Sequence, residues 1–242
     1  MGTRRTTDHE RLDAFREDFR ASSVDSEYRW RRHVLALLSC CIVTVTVALV
    51  QVEAWQNSYF VVMPCAYVFA NLAEYLVHRT LMHRVRWPFE FLYRRHSGAH
   101  HRFFTHEEMA IDSFRDLPAV IFPAKVSLFF VAGVGAPVAM LVGWLTTGDI
   151  GWLFLAVAVG YYLSYELLHL GVHLPASTRW GGARVVCWVR SHHAAHHDPK
   201  RMRHEGFNVT VPLWDTIFGT GAAPGVAPPP GPDGDSAPEH ED

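Results

Sequence analysis

The chain reads as an all-α integral membrane protein: four transmembrane helices in two hairpins, with a helical cytosolic cap holding a histidine-rich dimetal site. Three observations predict it. Four stretches are almost free of charge and long enough to cross a bilayer, arginine is confined to the segments on one side of them, and thirteen of sixteen histidines fall within 78–106 and 169–204, against the ends of those stretches. Mean hydropathy over the whole chain is only +0.03, but that value averages apolar segments with Arg- and His-rich ones. A net charge of −2 excludes a generally basic nucleic-acid binder.

Taken in order, residues 1–33 form an N-terminal cytosolic segment. Within it, 8–21 places Leu12, Phe15 and Phe19 on one helical face. That face suits a helix lying on the membrane or against the cap, and a frayed charged tail is the alternative. Residues 34–50 carry no charge and make the first span. A bilayer core needs about 20 apolar residues, with about 17 at the short end. The span starts too far into the chain, after a mixed-charge segment, to be a cleaved signal. Residues 59–77 make the second span, polar only at Asn71 and Glu74. The third, 117–145, holds one charge, Lys125, and the fourth, 150–168, holds one, Glu166. The loops 51–58 and 146–149 lack Lys and Arg, whereas seven arginines lie in 78–118 and six Lys or Arg residues follow position 170. The positive-inside rule then puts both termini and both histidine-rich stretches in the cytoplasm. The very short opposite loops imply tight hairpins. Residues 34–221 thus form one membrane domain, and the Pro/Gly/Asp-rich tail 222–242 is expected to be disordered. Cys40, Cys41, Cys65 and Cys187 show no CxxC spacing and read as small apolar residues.

The chemistry lies in four histidine boxes: His78 and His83; His96, His100 and His101; His169 and His173; and His192, His193, His196 and His197. Residues four apart share a helical face, so His96/His100 and His169/His173 are each expected to aim two imidazoles at one point. The interval of five in His78/His83 requires a helix end or a distortion near Thr80–Met82. One metal takes about four to six ligands, so roughly ten imidazoles imply two metals. Hydrolytic two-metal sites normally include carboxylates, and the near-absence of them from the boxes favours redox chemistry. Glu74 and Glu166 precede His78 and His169 by one helical turn. They are expected to accept the remaining N–H of those histidines and fix their tautomers. A carboxylate-bridged site built on Glu166-x-x-His169 would need further glutamates at matching positions, which the sequence lacks. Three other readings compete. A metal transporter or sensor would place ligands near mid-span, a b-type haem protein needs only two or four histidines, and a dizinc hydrolase would act without oxygen or reductant.

The run Glu74-YLV-His78-RTLM-His83, the boxes HSGAHH and HLGVH, and HHAAHH followed by GFNVTVPLWDTIFGT resemble the fatty acid hydroxylase superfamily over about residues 59–220. This is the family of membrane sterol desaturases and fatty acyl, sphingoid and carotenoid hydroxylases. The resemblance implies two Fe ions, with Zn able to replace them on purification, and O₂ as co-substrate. It implies hydroxylation or desaturation of an unactivated C–H bond in a fatty acyl, sphingoid or sterol-like lipid, a carotenoid being the alternative. The implied ligands are His78, His83, His96, His100, His101, His169, His173, His193, His196 and His197, with His192 as the alternative to His193. His106 and His204 fall outside the boxes. Electrons are expected from a separate donor, a ferredoxin or a cytochrome b5-like protein with its reductase. Trp87, Phe103, Phe104 and Trp214 are candidates to line the lipid's access path, with interfacial belt or cap core as the alternative.

Overall fold

The computed structural model describes residues 8–221, so the expected disordered tail lies outside the described residues. Eleven α-helical segments, and no strand, are found among them. They are α1 (Asp8–Ser23), α2 (Trp30–Val50), α3 (Tyr59–Val77), α4 (Glu90–Arg95), α5 (His101–Phe103), α6 (Leu117–Val120), α7 (Ala124–Leu128), α8 (Ala136–Leu145), α9 (Gly148–His173), α10 (Arg184–His196) and α11 (Leu213–Ile217). Three π-helical segments accompany them: His78–Met82 extends α3, His96–His100 links α4 to α5, and Phe129–Gly135 links α7 to α8.

Four of the described helical stretches are long and apolar enough to cross a membrane. Their outer faces carry bare apolar side chains such as Leu35, Phe60, Met140 and Trp144, each more than 60% exposed. Water would penalise such a surface and a lipid phase does not. The fourth span, α9, is the hub. Half of its most apolar window is buried, against 17% for each of the others, and α2, α3 and α8 all pack along it. Leu37, Cys41 and Ala48 of α2 meet Leu155, Ala156 and Val159 of α9 in one cluster. The α8–α9 crossing is close because Gly143 faces Gly151: a β-carbon on Gly151 would come within 2.8 Å of the Gly143 Cα and of the Ala139 carbonyl oxygen. The first pair departs from the tight hairpin expected, since α2 and α3 lean on α9 rather than on each other. Asp149 ties the two short loops together at one end by accepting from the Glu53 and Ala54 amides and from the Tyr59 hydroxyl.

The third span is not the unbroken helix 117–145 that its hydropathy suggests. In a continuing helix Pro123 would lack an amide proton and press its ring on the Ala119 carbonyl; α6 stops at Val120 instead and Ile121 is extended (φ −86°, ψ 148°). The apolar run therefore divides into α6, buried beside the histidines, and a span that begins at α7. The amphipathic face at 8–21 is covered by protein: Leu12 is buried, Phe19 meets Phe103 edge-on, and Arg16 donates to the Phe103 carbonyl. Arg20 joins Asp112 and Asp116 to complete the clamp.

At the other end of α9, Arg190 of α10 donates to the carbonyls of Gly171, Val172, Leu174 and Gly181. It satisfies carbonyls that a helix end leaves without partners. Arg190→Met is expected to strand these buried acceptors and cost about 2–4 kcal/mol. Thermal unfolding of the purified protein measures it, and an unchanged Tm would show that the cap is dispensable.

Candidate metal centre

The first two boxes are shaped by π-helical turns. Regular α3 gives way at His78 to the π segment ending at Met82, which supplies the distortion that an interval of five requires. In the second box the π segment His96–His100 leads into α5. Hydrogen bonding from i to i+5 widens the turn, so the residue five along, His101, returns to the side of His96. His100 is directed elsewhere. The expected pairing of His96 with His100 is therefore replaced by a pairing of His96 with His101. On α9, a regular helix, His169 and His173 do converge. The C-terminal end of α10 contributes the last box.

Two groups result. His78, His83, His96, His101 and His196 place one nitrogen each within 4.8 Å of one another, and so do His100, His169, His173 and His193. His197 stands beside the second group, its Nε2 3.1 Å from that of His100 and 3.0 Å from that of His193. In the first group Nε2–Nε2 separations are 2.8 Å for His78–His96, 2.9 Å for His83–His196 and 3.0 Å for His96–His101. All ten histidines expected from the boxes are thus brought together. His193 is in the second group, while His192 turns aside to within 3.4 Å of Asp215. His106 and His204 are exposed, outside both groups.

Backbone carbonyls set the tautomers. The Nδ1–H of His78 donates to Phe207, of His100 to Ala119, of His173 to Met109, of His196 to Glu205 and of His197 to Phe104. His83 donates through Nδ1 to Ser97, whose own hydroxyl proton goes to the Met82 carbonyl. Each of these rings therefore presents a bare Nε2 lone pair inward. His100 faces His197, and His83 faces His196, lone pair to lone pair at hydrogen-bond distance without a proton between them. The buried Nε2 of His173 has no partner at all. Such an arrangement fits a cation: nitrogens bound cis at about 2.1 Å lie roughly 3 Å apart. Burial first, then the neighbouring imidazoles, holds His96, His101, His193 and His196 well below the usual histidine range, so they are neutral at pH 7. Neutral imidazole is the form that ligates Fe, Zn, Cu or Ni.

Neither glutamate touches its expected histidine. Glu74 accepts from the Val209 and Thr210 amides and from the side chains of Asn208, Thr210 and Tyr161. It anchors the loop whose Phe207 carbonyl orients His78, so its influence on that ring passes through the backbone. Glu166 accepts from the Tyr162 hydroxyl and the Phe122 amide, and the Nδ1 of His169 has no partner. Both carboxylates thus face backbone amides of a neighbouring loop, at 209–210 for Glu74 and at Phe122 for Glu166, rather than the ring one turn on.

The segment 205–220, whose structural role composition alone does not show, is a second scaffold. Asp215 accepts from the Phe207 and Asn208 amides and from the Thr220 hydroxyl. Burial alone would raise its pKa, but His192 and these donors outweigh it and hold the carboxyl below the usual range. Gly206 takes φ +71°, and a β-carbon there would lie 3.0 Å from the His196 Cβ. Glycine thereby lets the loop close on α10.

An apolar cavity of about 330 Å³ adjoins the first group. His78, Val77, Leu81, Phe122 and Tyr165 line the end nearest the histidines. None of Trp87, Phe103, Phe104 and Trp214 lines it: Phe103 and Phe104 are fully buried core, and Trp87 is 84% exposed.

Fold and site together define an all-helical membrane protein with paired histidine clusters able to hold metal. The chain belongs to the fatty acid hydroxylase family, whose profile matches residues 61–220. It is an oxidoreductase of the lipid-hydroxylase kind at the level of the family. Among solved structures it is similar to full-length Scs7p, of which only the hydroxylase domain is visible, at 23% identity and a TM-score of 0.56, covering 81% of this chain and 67% of that one. That likeness concerns the fold. No curated protein matches the chain.

Proposed function

We propose that the protein is a membrane-bound, O₂-dependent oxygenase that hydroxylates or desaturates an unactivated C–H bond of a lipid with a fatty acyl, sphingoid or sterol-like chain. One observation carries this reading: His78 belongs at once to a five-histidine group and to the wall of an apolar cavity. The ligands would be His78, His83, His96, His101 and His196 for one ion and His100, His169, His173, His193 and His197 for the other. Bound there, two iron ions supply the redox chemistry that activates O₂, which zinc, having no accessible second oxidation state, does not.

The remaining work falls to the chain itself. Carbonyl acceptors keep the imidazoles in one tautomer, so no ring must reorient during the reaction. The apolar wall formed by Val77, Leu81 and Phe122 holds hydrocarbon beside His78 and keeps water away from it. The arginines around both histidine-rich stretches favour a cytoplasmic site and cytoplasmic termini, with the helical region beyond the spans as a cap. Electrons would then come from a separate ferredoxin or cytochrome b5-like protein on that side.

Purified protein reconstituted with Fe(II) is expected to bind about two irons per chain without a Soret band. Cells producing it should accumulate oxidised lipid only when O₂ is supplied. Oxidation that persists without O₂, or an iron-loaded protein inert toward every membrane lipid with reductant present, would overturn the reading.

A further inference from the structure

The geometry points to a lipid-chain groove that runs the length of the spans, with Phe69 and Phe154 setting how long a chain it accepts. This inference rests on the proposed function and specifies its substrate as a lipid bearing one extended, unbranched chain. A second cavity, of about 310 Å³, continues beyond the first, and the two share Phe69, Val138 and Phe154 as common wall. Lining residues recur along one face of α3, from Val62 through Phe69 to Val77 and His78, and along α9 from Ile150 through Phe154 to Tyr165. Because α3 and α8 each pack on α9, α9 forms the floor of a trough between them.

The polar lining is confined to one end, where Glu74, His78 and the tyrosines of α9 lie. Glu74 and Tyr161 are bonded to each other, and Tyr162 bonds Glu166 and Ser127. Apart from the Met82 thioether and the Cys65 thiol, both weak hydrogen-bonding groups, the other lining side chains are hydrocarbon or aromatic, so the trough suits an alkyl tail and offers little to a ring hydroxyl or headgroup away from the histidines. A tail lying in it would leave carbons near the polar end of the lipid against His78.

The partition fixes a length. Phe69 and Phe154 meet at a centroid separation of 5.5 Å. At roughly 1.5 Å per residue the rise from Phe69 to His78 is about 13 Å. An extended chain advances about 1.2 Å per bond, so the near compartment takes about eleven carbons beyond the reacting one. From Phe69 to Val62 is a further rise of about 10 Å, room for about eight more.

The test uses the iron-loaded protein in nanodiscs and saturated fatty acids of increasing length as probes. Stabilisation of the wild type, read as Tm, should grow with chain length and level off where the near compartment is full. In Phe69→Ala the plateau should move out by about eight carbons, and in Ala73→Leu, which fills the near compartment, it should move in. Bound iron equal to wild type shows that a variant is folded, and Phe154→Ala offers the same opening from the other wall. The chain lengths of oxidised lipids in producing cells should shift in the same directions. An unchanged plateau in folded Phe69→Ala and Phe154→Ala, or stabilisation independent of length in every form, would overturn the groove assignment. The second outcome would mean that bilayer lipid merely fills the trough. A length-dependent plateau with no lipid oxidised would instead overturn the oxygenase and leave the groove standing.

Discussion

His196→Ala is expected to abolish lipid oxidation and to halve the bound iron. His196 meets His83 Nε2 to Nε2 at 2.9 Å and is held by the Glu205 carbonyl. Its loss removes one of the five donors of the first group. Changing outer partners of metal ligands typically costs about 10–100-fold in affinity, and losing a ligand itself should exceed that. The four histidines of the second group, and His197 beside it, are all distinct from the five of the first, so His173→Ala should strip the complementary ion. Iron quantification on the two single variants and the double variant separates the sites. If either single variant kept both ions and full turnover, the division into two groups would be wrong.

Glu74→Gln should have the next largest effect, and the effect should be lopsided. The carboxylate serves only as acceptor, to two backbone amides and to several side-chain donors. An amide in its place points N–H at N–H, at a cost of about 1–3 kcal/mol for the donor left unpaired. The loop 207–210 then loosens, and with it the carbonyl that holds His78. Iron affinity should fall about 10–100-fold in the first group and stay unchanged in the second. Equal weakening of both would indicate general destabilisation, and wild-type affinity would show that the loop needs no such anchor.

Much of the architecture was legible in the sequence, for reasons that differ by element. The spans follow from hydropathy because lipid imposes a single requirement on every residue facing it. The second span, 59–77, coincides with α3 for that reason. The third misleads because apolar residues at 117–122 serve a protein core, and hydropathy does not separate core from lipid; Pro123 was the available signal. The ten histidines were visible because so many imidazoles in four boxes have few other uses. How they divide was not. That depends on π-turns: the interval of five marks a distortion at His78/His83, but nothing in hydropathy or helical periodicity marks the one at His96–His100, and the pairing of His96 with His101 departs from the regular i, i+4 rule for that reason. The roles of Phe207, Ala119, Met109, Glu205 and Phe104 were out of reach, because each acts through its carbonyl and any residue supplies one.

The two π segments in the first boxes have a bearing on how such a chain can change over generations. Each contains one residue more than a regular helical turn would need, and that surplus sets the rotation of everything after it. Exchange of the side chains between His78 and His83 leaves the count intact. Removing a single residue there would let the turn relax to a regular helix and swing the next histidine by about 100°, the rotation that one residue makes at 3.6 per turn. The boxes are in this sense rulers as well as ligand sets: besides the contacts that Leu81 and Ser97 make from inside them, their lengths themselves carry information.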